Sequence, residues 1–394
     1  MNVMPIQAAD ERAPAKPRVL TTSDPVLTLG TLALIACSLI TLKGATASYI
    51  PGRPLFYVER QGIYAAIGVV IAIGLSRIDY SRLREYKYGF YAILIGLNLL
   101  VFGMPKVQGA RRWIPLPFFQ MQPSEFGKLL LILALAAFAV DRSRRLHEWR
   151  TTARIMLLAL IPALVVIPQP DLGTSMVFVA IGFVTLFVVG TSWKHLAALV
   201  AMFAASTAIV IAGAPALGVH VLKPYQQQRL TGFLNPSHDR KNQTYNITES
   251  LIAIGSGQKS GRGSNATQTR LDFLPAPNTD FIFSAVGETY GFAGAALVLS
   301  LYALLIWRAL RIMTMAKNLY GTVIAGGILA MLMFQVFVNT GMTIGIMPIT
   351  GVPLPLMSYG GSSVIVTLAA VGLLQSIHIQ ARRTAAAKSR ALIS

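Results

Sequence analysis

The sequence predicts an all-α polytopic membrane protein with ten transmembrane helices, and three observations carry that prediction. Aliphatic and aromatic residues supply 54% of the 394 positions and charged residues only 12%, with a mean hydropathy of +0.59. A water-soluble chain of this length needs far more polar surface. The apolar residues form continuous runs rather than an alternating pattern; since backbone groups in lipid are satisfied only in helices or closed barrels, helices are indicated. Ten runs approach the ~20 apolar residues that a bilayer core requires. They lie near 26–43, 61–76, 88–104, 126–140, 154–168, 175–191, 195–217, 281–307, 319–345 and 359–380.

The placement of charge orients these spans. Short basic loops at 77–87, 141–154, 192–195 and 307–317 and both basic termini fall on one side of a ten-span count, which the positive-inside rule makes cytoplasmic. The loops near 44–60, 105–125, 168–174, 218–280 and 345–358 then face outward, the largest joining spans seven and eight. The net charge of +19 is thereby a matter of topology and contact with anionic membrane lipids, and no nucleic-acid partner is indicated. Residues 1–25 read as a disordered cytoplasmic tail, 26–380 as one transmembrane domain and 381–394 as a basic cytoplasmic tail. The N-terminal tail lacks the apolar core of a cleaved signal, so the first span is the expected targeting element. Cys37 in that span is the only cysteine, which excludes disulfides and cysteine-rich metal sites. The five histidines lack metal-ligand spacing.

Taken in order, the outward ends of the spans carry the chemistry. Before span four, GARRWIPL offers Arg111, Arg112 and an interfacial Trp113; a guanidinium presents a planar fork suited to phosphate oxygens. Span four opens with QMQPSEFGKLL, in which Glu125 and Lys128 lie at i,i+3 on one helical face and can pair. The pair either locks helices together or lines a substrate cavity. Pro123 and Ser124 suit a helix start, and Glu in the first turn favours the dipole. Between spans five and six, Asp171 of IPQPDLGTSMV either caps a helix or belongs to a site. The 218–280 loop contains SLIAIGSG, an amphipathic helix at the interface, and the glycine-rich GQKSGRGSN. That stretch lacks the Gly-Lys-Ser/Thr ending of a phosphate loop. It reads better as a mobile basic loop, with Lys259 and Arg262 facing an anionic headgroup. Asp280 precedes span eight, either as its N-cap or as a group that takes a proton or holds a cation. Glu288, two turns on, reads as structural. The last outer loop, MPITGVPLPLMSYGGSS, holds three prolines, three glycines and no charge. Irregular backbone at this depth must pack in protein or line a cavity, placing Ser358, Tyr359, Gly360, Gly361 and Ser362 at the mouth of span ten.

In this order, GARRWIPL, QPSEFGKL, QPDLGTSMV, YQQQRLTGFLNP, SLIAIGSG, FLP–TDFIFSAVGE–YG and PLPLMSYGGSS resemble the RodA/FtsW (SEDS) family, over residues 26 to 380. The resemblance implies ten transmembrane helices in the bacterial cytoplasmic membrane with both termini inside. It implies a peptidoglycan glycosyltransferase that polymerises lipid II at the outer face, with a class B penicillin-binding protein as crosslinking partner. It carries an essential aspartate onto Asp280, a paired Glu and Lys onto Glu125 and Lys128 beside Gln122 of the same motif, and further site positions onto Arg112, Asp171 and Arg229. The ending looks more like the elongation (RodA) branch, and so implies a role in cell shape. Departures occur at Ala276 and Asn278 before the aspartate, at Thr289, at the Thr244–Tyr245–Asn246 segment and at Arg262; none removes the acid. The expected roles are Asp280 as general base, or as anchor of a divalent cation (Mg2+ or Mn2+), and Lys128 and Arg112 as partners of the pyrophosphate. The rival reading is a lipid II flippase without polymerase chemistry.

Overall fold

The computed structural model describes residues 23–47, 49–107, 109–117, 119–210 and 243–391. Helix α1 spans Pro25–Ala45. Asp24 starts it, accepting the Leu27 amide at 3.0 Å ahead of a proline whose fixed φ suits the first turn. Helix α2 covers Phe56–Arg77. A 3-10 segment, Tyr80–Tyr86, leads into α3, Lys87–Leu100. A two-residue hairpin then pairs β1, Ile114–Pro115, antiparallel with β2, Gln120–Met121. Helices α4 (Pro123–Asp141), α5 (Trp149–Val166), α6 (Leu172–Val189) and α7 (Trp193–Ala208) follow. After residue 242 come α8 (Gln243–Gly257), the short α9 (Thr267–Arg270), α10 (Ile282–Met315), α11 (Leu319–Thr343) and α12 (Gly361–Ala391).

Among the described residues nine helices are long and apolar enough to cross a membrane, matching nine of the ten expected spans; the third includes its 3-10 flanks, Tyr80–Gly103. The remaining expected span, 195–217, begins as α7, and beyond residue 210 it lies outside the described residues. The chain is thus a multi-pass helical membrane protein. Helix α12 is buried throughout its spanning length, and α4 and α11 nearly so. These three form the centre. Helix α2 runs along α12, α6 packs on α5 and α11, and α10 packs on α1, α8 and α11. Helix α12 extends past residue 380 to Ala391, so much of the expected basic tail continues the helix.

The spans do not all run as plain rods. In α10, Gly291 adopts φ +65° and ψ −161°, a region essentially restricted to glycine. The break frees two amides of the helix. Phe292 N donates instead to Gln258 O at 2.8 Å and Ala293 N to Lys259 O at 3.1 Å, while Arg262 N donates to Glu288 O at 2.8 Å. A Cβ on Gly291 would sit 2.3 Å from the Gly261 amide nitrogen. The glycine-rich 257–262 stretch, expected as a mobile basic loop, is therefore a backbone plug seated in the kink of α10. Its Gly257 and Gly261 answer close backbone approach, while Gln258, Lys259, Ser260 and Arg262 are left exposed.

Candidate functional site

The end of the bundle bearing the hairpin, α8 and the start of α10 gathers most of the predicted residues. Asp171 caps α6: its Oδ1 accepts the Thr174 amide at 3.1 Å, as the capping alternative expected. Its Oδ2 also accepts from Ser124 Oγ at 2.9 Å and Gln122 Nε2 at 2.8 Å, so one carboxylate joins the starts of α4 and α6. Gln122 N in turn donates to Ser362 Oγ at 2.9 Å, attaching the start of α12. Lys128 Nζ donates to Glu125 Oε1 at 2.6 Å, with both side chains no more than 3% exposed. The expected i,i+3 pair is present, sealed inside α4's packing.

Asp280 stands one residue before the N-cap of α10, which is Phe281 and carries no side-chain cap, so the expected N-cap alternative for Asp280 is not met; the Ser284 and Ala285 amides donate to Phe281 O. Its turn is held from several directions. Asn339 of α11, fully buried, donates through Nδ2 to Asp280 O at 3.0 Å and to Val352 O at 2.8 Å. Ser358 Oγ donates to Thr279 O at 2.6 Å and accepts the Leu354 amide at 2.8 Å. Tyr359 N donates to Asn278 O at 2.8 Å. The 350–359 segment also reaches the other acid's helix. A Cβ on Gly173 of α6 would meet Val352 Cγ2 at 2.4 Å and Thr350 O at 3.1 Å, and a Cβ on Gly351 would come 3.6 Å from Asp280 Oδ2. The uncharged loop expected to face outward is thus packed inside protein. It links the Asp171 cap to the Asp280 turn.

Arg112 lies two residues before the hairpin that leads into Gln122. Its guanidinium stacks on the Trp113 ring at 4.1 Å, and its Nε is buried without a hydrogen-bond partner among the described residues. A half-buried guanidinium in this state is an anion receptor in waiting. The hairpin that follows it carries Phe119, 6.1 Å from the Tyr64 ring, which is 6.3 Å from Tyr359. Burial and the neighbouring Tyr64 push the Tyr359 phenol up to about 12 against the pull of Arg60, so the hydroxyl stays a donor at neutral pH.

Not every predicted residue joins this assembly. Arg229 lies outside the described residues. Lys259 and Arg262 sit exposed at the α10 kink, with Arg262 Nη1 3.2 Å from Thr267 Oγ1. Glu288 is fully buried and accepts the Gln268 and Thr269 amides at 2.8 Å each, plus Thr269 Oγ1 at 2.6 Å; it caps α9, a structural role as expected. Sequence reasoning missed Asn339 and the role of Gly351, whereas Ser362, expected at the mouth of span ten, holds the Gln122 amide there. Asn339 had a signal: an amide in the middle of an apolar span must find partners within the bundle.

Among the described residues no cluster of three or more His, Cys, Asp or Glu is placed to hold a metal. The contacts described at the Asp280 turn bring one carboxylate together with the Asn339 amide, the Ser358 hydroxyl and backbone carbonyls. That chemistry fits a hard cation shared with substrate phosphates better than a protein cage, since Mg2+ is usually bound by one or two carboxylates, waters and phosphate oxygens.

Comparison with known proteins identifies the family. The family model FTSW_RODA_SPOVE, described as "Cell cycle protein", matches residues 22–383. The "Peptidoglycan glycosyltransferase MrdB" of Escherichia coli (strain K12) is 37% identical over 357 residues, covering 90% of this chain and 93% of that protein. A solved structure described as "Structural coordination of polymerization and crosslinking by a peptidoglycan synthase complex" aligns with TM-score 0.77 at 33% identity, over 91% of this chain and 98% of the other. The crystal structure of the Thermus thermophilus rod shape determining protein RodA aligns with TM-score 0.64 at 30% identity, over 90% and 96%.

Proposed function

The chain belongs to the FtsW/RodA/SpoVE family, and from that premise we propose how its outer end carries out glycosyl transfer. It is a peptidoglycan glycosyltransferase, the activity that its relatives' names state. The substrate in this reading is lipid II, and the reaction runs at the outer face of the bacterial cytoplasmic membrane with both termini inside. The partner is a class B penicillin-binding protein that crosslinks the product, in keeping with the peptidoglycan synthase complex to which the fold is similar. The role is cell-wall elongation.

One observation supports this most directly: the Asp280 turn, the Asp171 cap and the hairpin beside the unpaired Arg112 are tied together by the single segment 350–362. Glycosyl transfer needs a base for the attacking hydroxyl and positive charge for the leaving pyrophosphate. The sugar 4-hydroxyl attacks the anomeric carbon, the new C–O bond forms as the bond to pyrophosphate breaks, and the Asp280 carboxylate accepts the proton. A positioned base contributes about a hundred- to ten-thousand-fold. Arg112 offers its fork to the departing pyrophosphate, where preorganised charge is most effective. Tyr359 donates to sugar or phosphate oxygen, and Lys259, Arg262 and Arg229 attract the anionic headgroup. Gln122, Asp171 and Ser358 shape the pocket wall through the bonds described above, and Glu125–Lys128 supports it from within α4. A divalent cation at Asp280, held with substrate phosphates, supplies neutralisation of pyrophosphate charge when bound.

The test is lipid II polymerisation by the purified full chain with its penicillin-binding protein, with divalent cation present and then chelated, and any contaminating transglycosylase inhibited. Glycan strands are the expected product. Lipid II moved across vesicles with no strands formed would overturn the polymerase reading in favour of transport.

A further inference from the structure

A second site lies at the opposite end of the bundle. Asp280 lies two residues before α10 and Lys317 two residues after it, at opposite ends of that 34-residue helix. Beside Lys317 is a cavity of about 670 Å3 lined by Ser76, Arg77, Asp79, Lys317, Gln380 and Arg383, with Ile78, Ile379 and Thr384 completing its wall. Three elements build it: the end of α2, the connection between α10 and α11, and the far part of α12. Its charge is lopsided. Three cations face one acid, and Asp79 Oδ1 is already engaged by Lys317 Nζ at 3.4 Å and the Ser81 amide at 2.9 Å. Neither Arg77 nor Arg383 has an ion-pair partner among the described residues.

Arg77 and Arg383 both lie at exposed positions, and with Lys317 they converge from three elements on one cavity, a clustering of like charge that a bound anion relieves. The cavity also sits where α2 ends, the depth at which a membrane helix passes into the headgroup layer, with isoleucines beside the cations. We infer that this cavity is a phosphate-binding site, in which Arg77, Arg383 and Lys317 hold a phosphate ester against the α2–α12 seam. The two sources of that chemistry are the headgroup of an anionic phospholipid and a soluble phosphate ester. The apolar wall of Ile78 and Ile379 suits the glycerol and acyl root of the former. The inference does not rest on the chemistry proposed at Asp280, since it concerns the other face.

The test uses the full chain purified in detergent and titrated in parallel with phosphatidylglycerol, phosphatidylcholine and inorganic phosphate. Native mass spectrometry reads lipid retention, and a concentration-dependent melting temperature reads phosphate binding. The site variant is Arg77→Gln with Arg383→Gln, and Arg150→Gln with Arg154→Gln removes the same charge elsewhere. Preferential retention of phosphatidylglycerol, weakened about tenfold or more in the site variant but not in the charge control, establishes the lipid form. Stabilisation by inorganic phosphate that is lost only in the site variant, without preference between the lipids, establishes the soluble form. Equal weakening in both variants, or no difference between anionic and zwitterionic probes with no phosphate effect, overturns the site. Should the double variant fail to elute as a monodisperse species, Arg383→Gln alone, at an exposed position, is read by the same criteria.

Discussion

At the scale of single residues, the account turns on groups that hold others. Asn339 touches no reacting atom in the proposed scheme, yet its amide binds the carbonyls of Asp280 and Val352. Asn339→Leu leaves both acceptors buried, a penalty of about 1–3 kcal/mol each, and lets the Asp280 turn drift. A small displacement near a reacting centre can cost about a hundredfold in rate, so polymerisation is expected to fall sharply with little loss of lipid II binding. The Glu125–Lys128 pair makes a different prediction. Removing one partner of a buried ion pair typically costs about 3–5 kcal/mol, whereas replacing both with apolar residues is often near neutral. Thermal unfolding should therefore show Lys128→Met destabilised and Glu125→Leu/Lys128→Met largely restored; full polymerisation by the double variant would confine the pair to a structural role. Asp24, at the far end of α1, gives a pH signature. Burial alone would raise its pKa, but hydrogen bonds from Arg308 and the Leu27 amide, with the charge of Arg308, hold it below the usual 3.8. A depressed folded-state pKa stabilises fully above the ordinary carboxylate range, and the contribution is lost as pH falls through the depressed value. In a His378→Gln background, which removes the imidazole 3.8 Å from the same carboxylate, the melting gap between wild type and Asp24→Asn should hold from about pH 8 to about pH 5 and shrink below about pH 4.

At the scale of elements, legibility followed the range of the interaction. The i,i+3 spacing of Glu125 and Lys128 and the Asp–Leu–Gly–Thr start of α6 are local, and both were readable from the sequence. The kink of α10 was not. Residues 281–307 read as an unbroken apolar run, because the partners of the freed amides lie some 30 residues earlier in GSGQKSGRG. That stretch had to be judged alone, and alone it looks like a solvated basic loop. The same limit applies to Asn339 and Gly351: their importance lies in the carbonyls and carboxylate they meet, on segments distant in sequence. The plug makes a sharp prediction. Gly291→Ala demands a φ near +65° from a residue with a Cβ and drives that carbon to within 2.3 Å of the Gly261 nitrogen. Strain of about 1–3 kcal/mol from the backbone alone, together with the clash, should lower the melting temperature clearly. Ala substitution at Gly263, where a Cβ would meet nothing within 4 Å although φ is +55°, should be milder.

At the scale of the whole molecule, composition and the order of apolar runs were enough to reveal a helical membrane bundle, because span length and backbone satisfaction leave few alternatives. What they could not reveal was which spans form the centre. Helix α2 and helix α12 have similar hydropathy, 1.4 and 1.7, yet the spanning window of α12 is wholly buried and that of α2 mostly faces outward; helices in lipid are apolar on either surface. Topology is open to a direct check. In a Cys37→Ala background, single cysteines at Ser264 and Lys317 should react with a membrane-impermeant thiol reagent from opposite sides, Ser264 from outside and Lys317 only after permeabilisation. The central claim is that the outer end assembles around one carboxylate to make glycan. It is tested most directly by comparing wild type with Asp280→Ala in lipid II polymerisation, both co-purified with the penicillin-binding protein and both shown to be folded by their melting curves. Long strands from wild type and none from Asp280→Ala are the predicted result; strands of equal length and yield from both would contradict it.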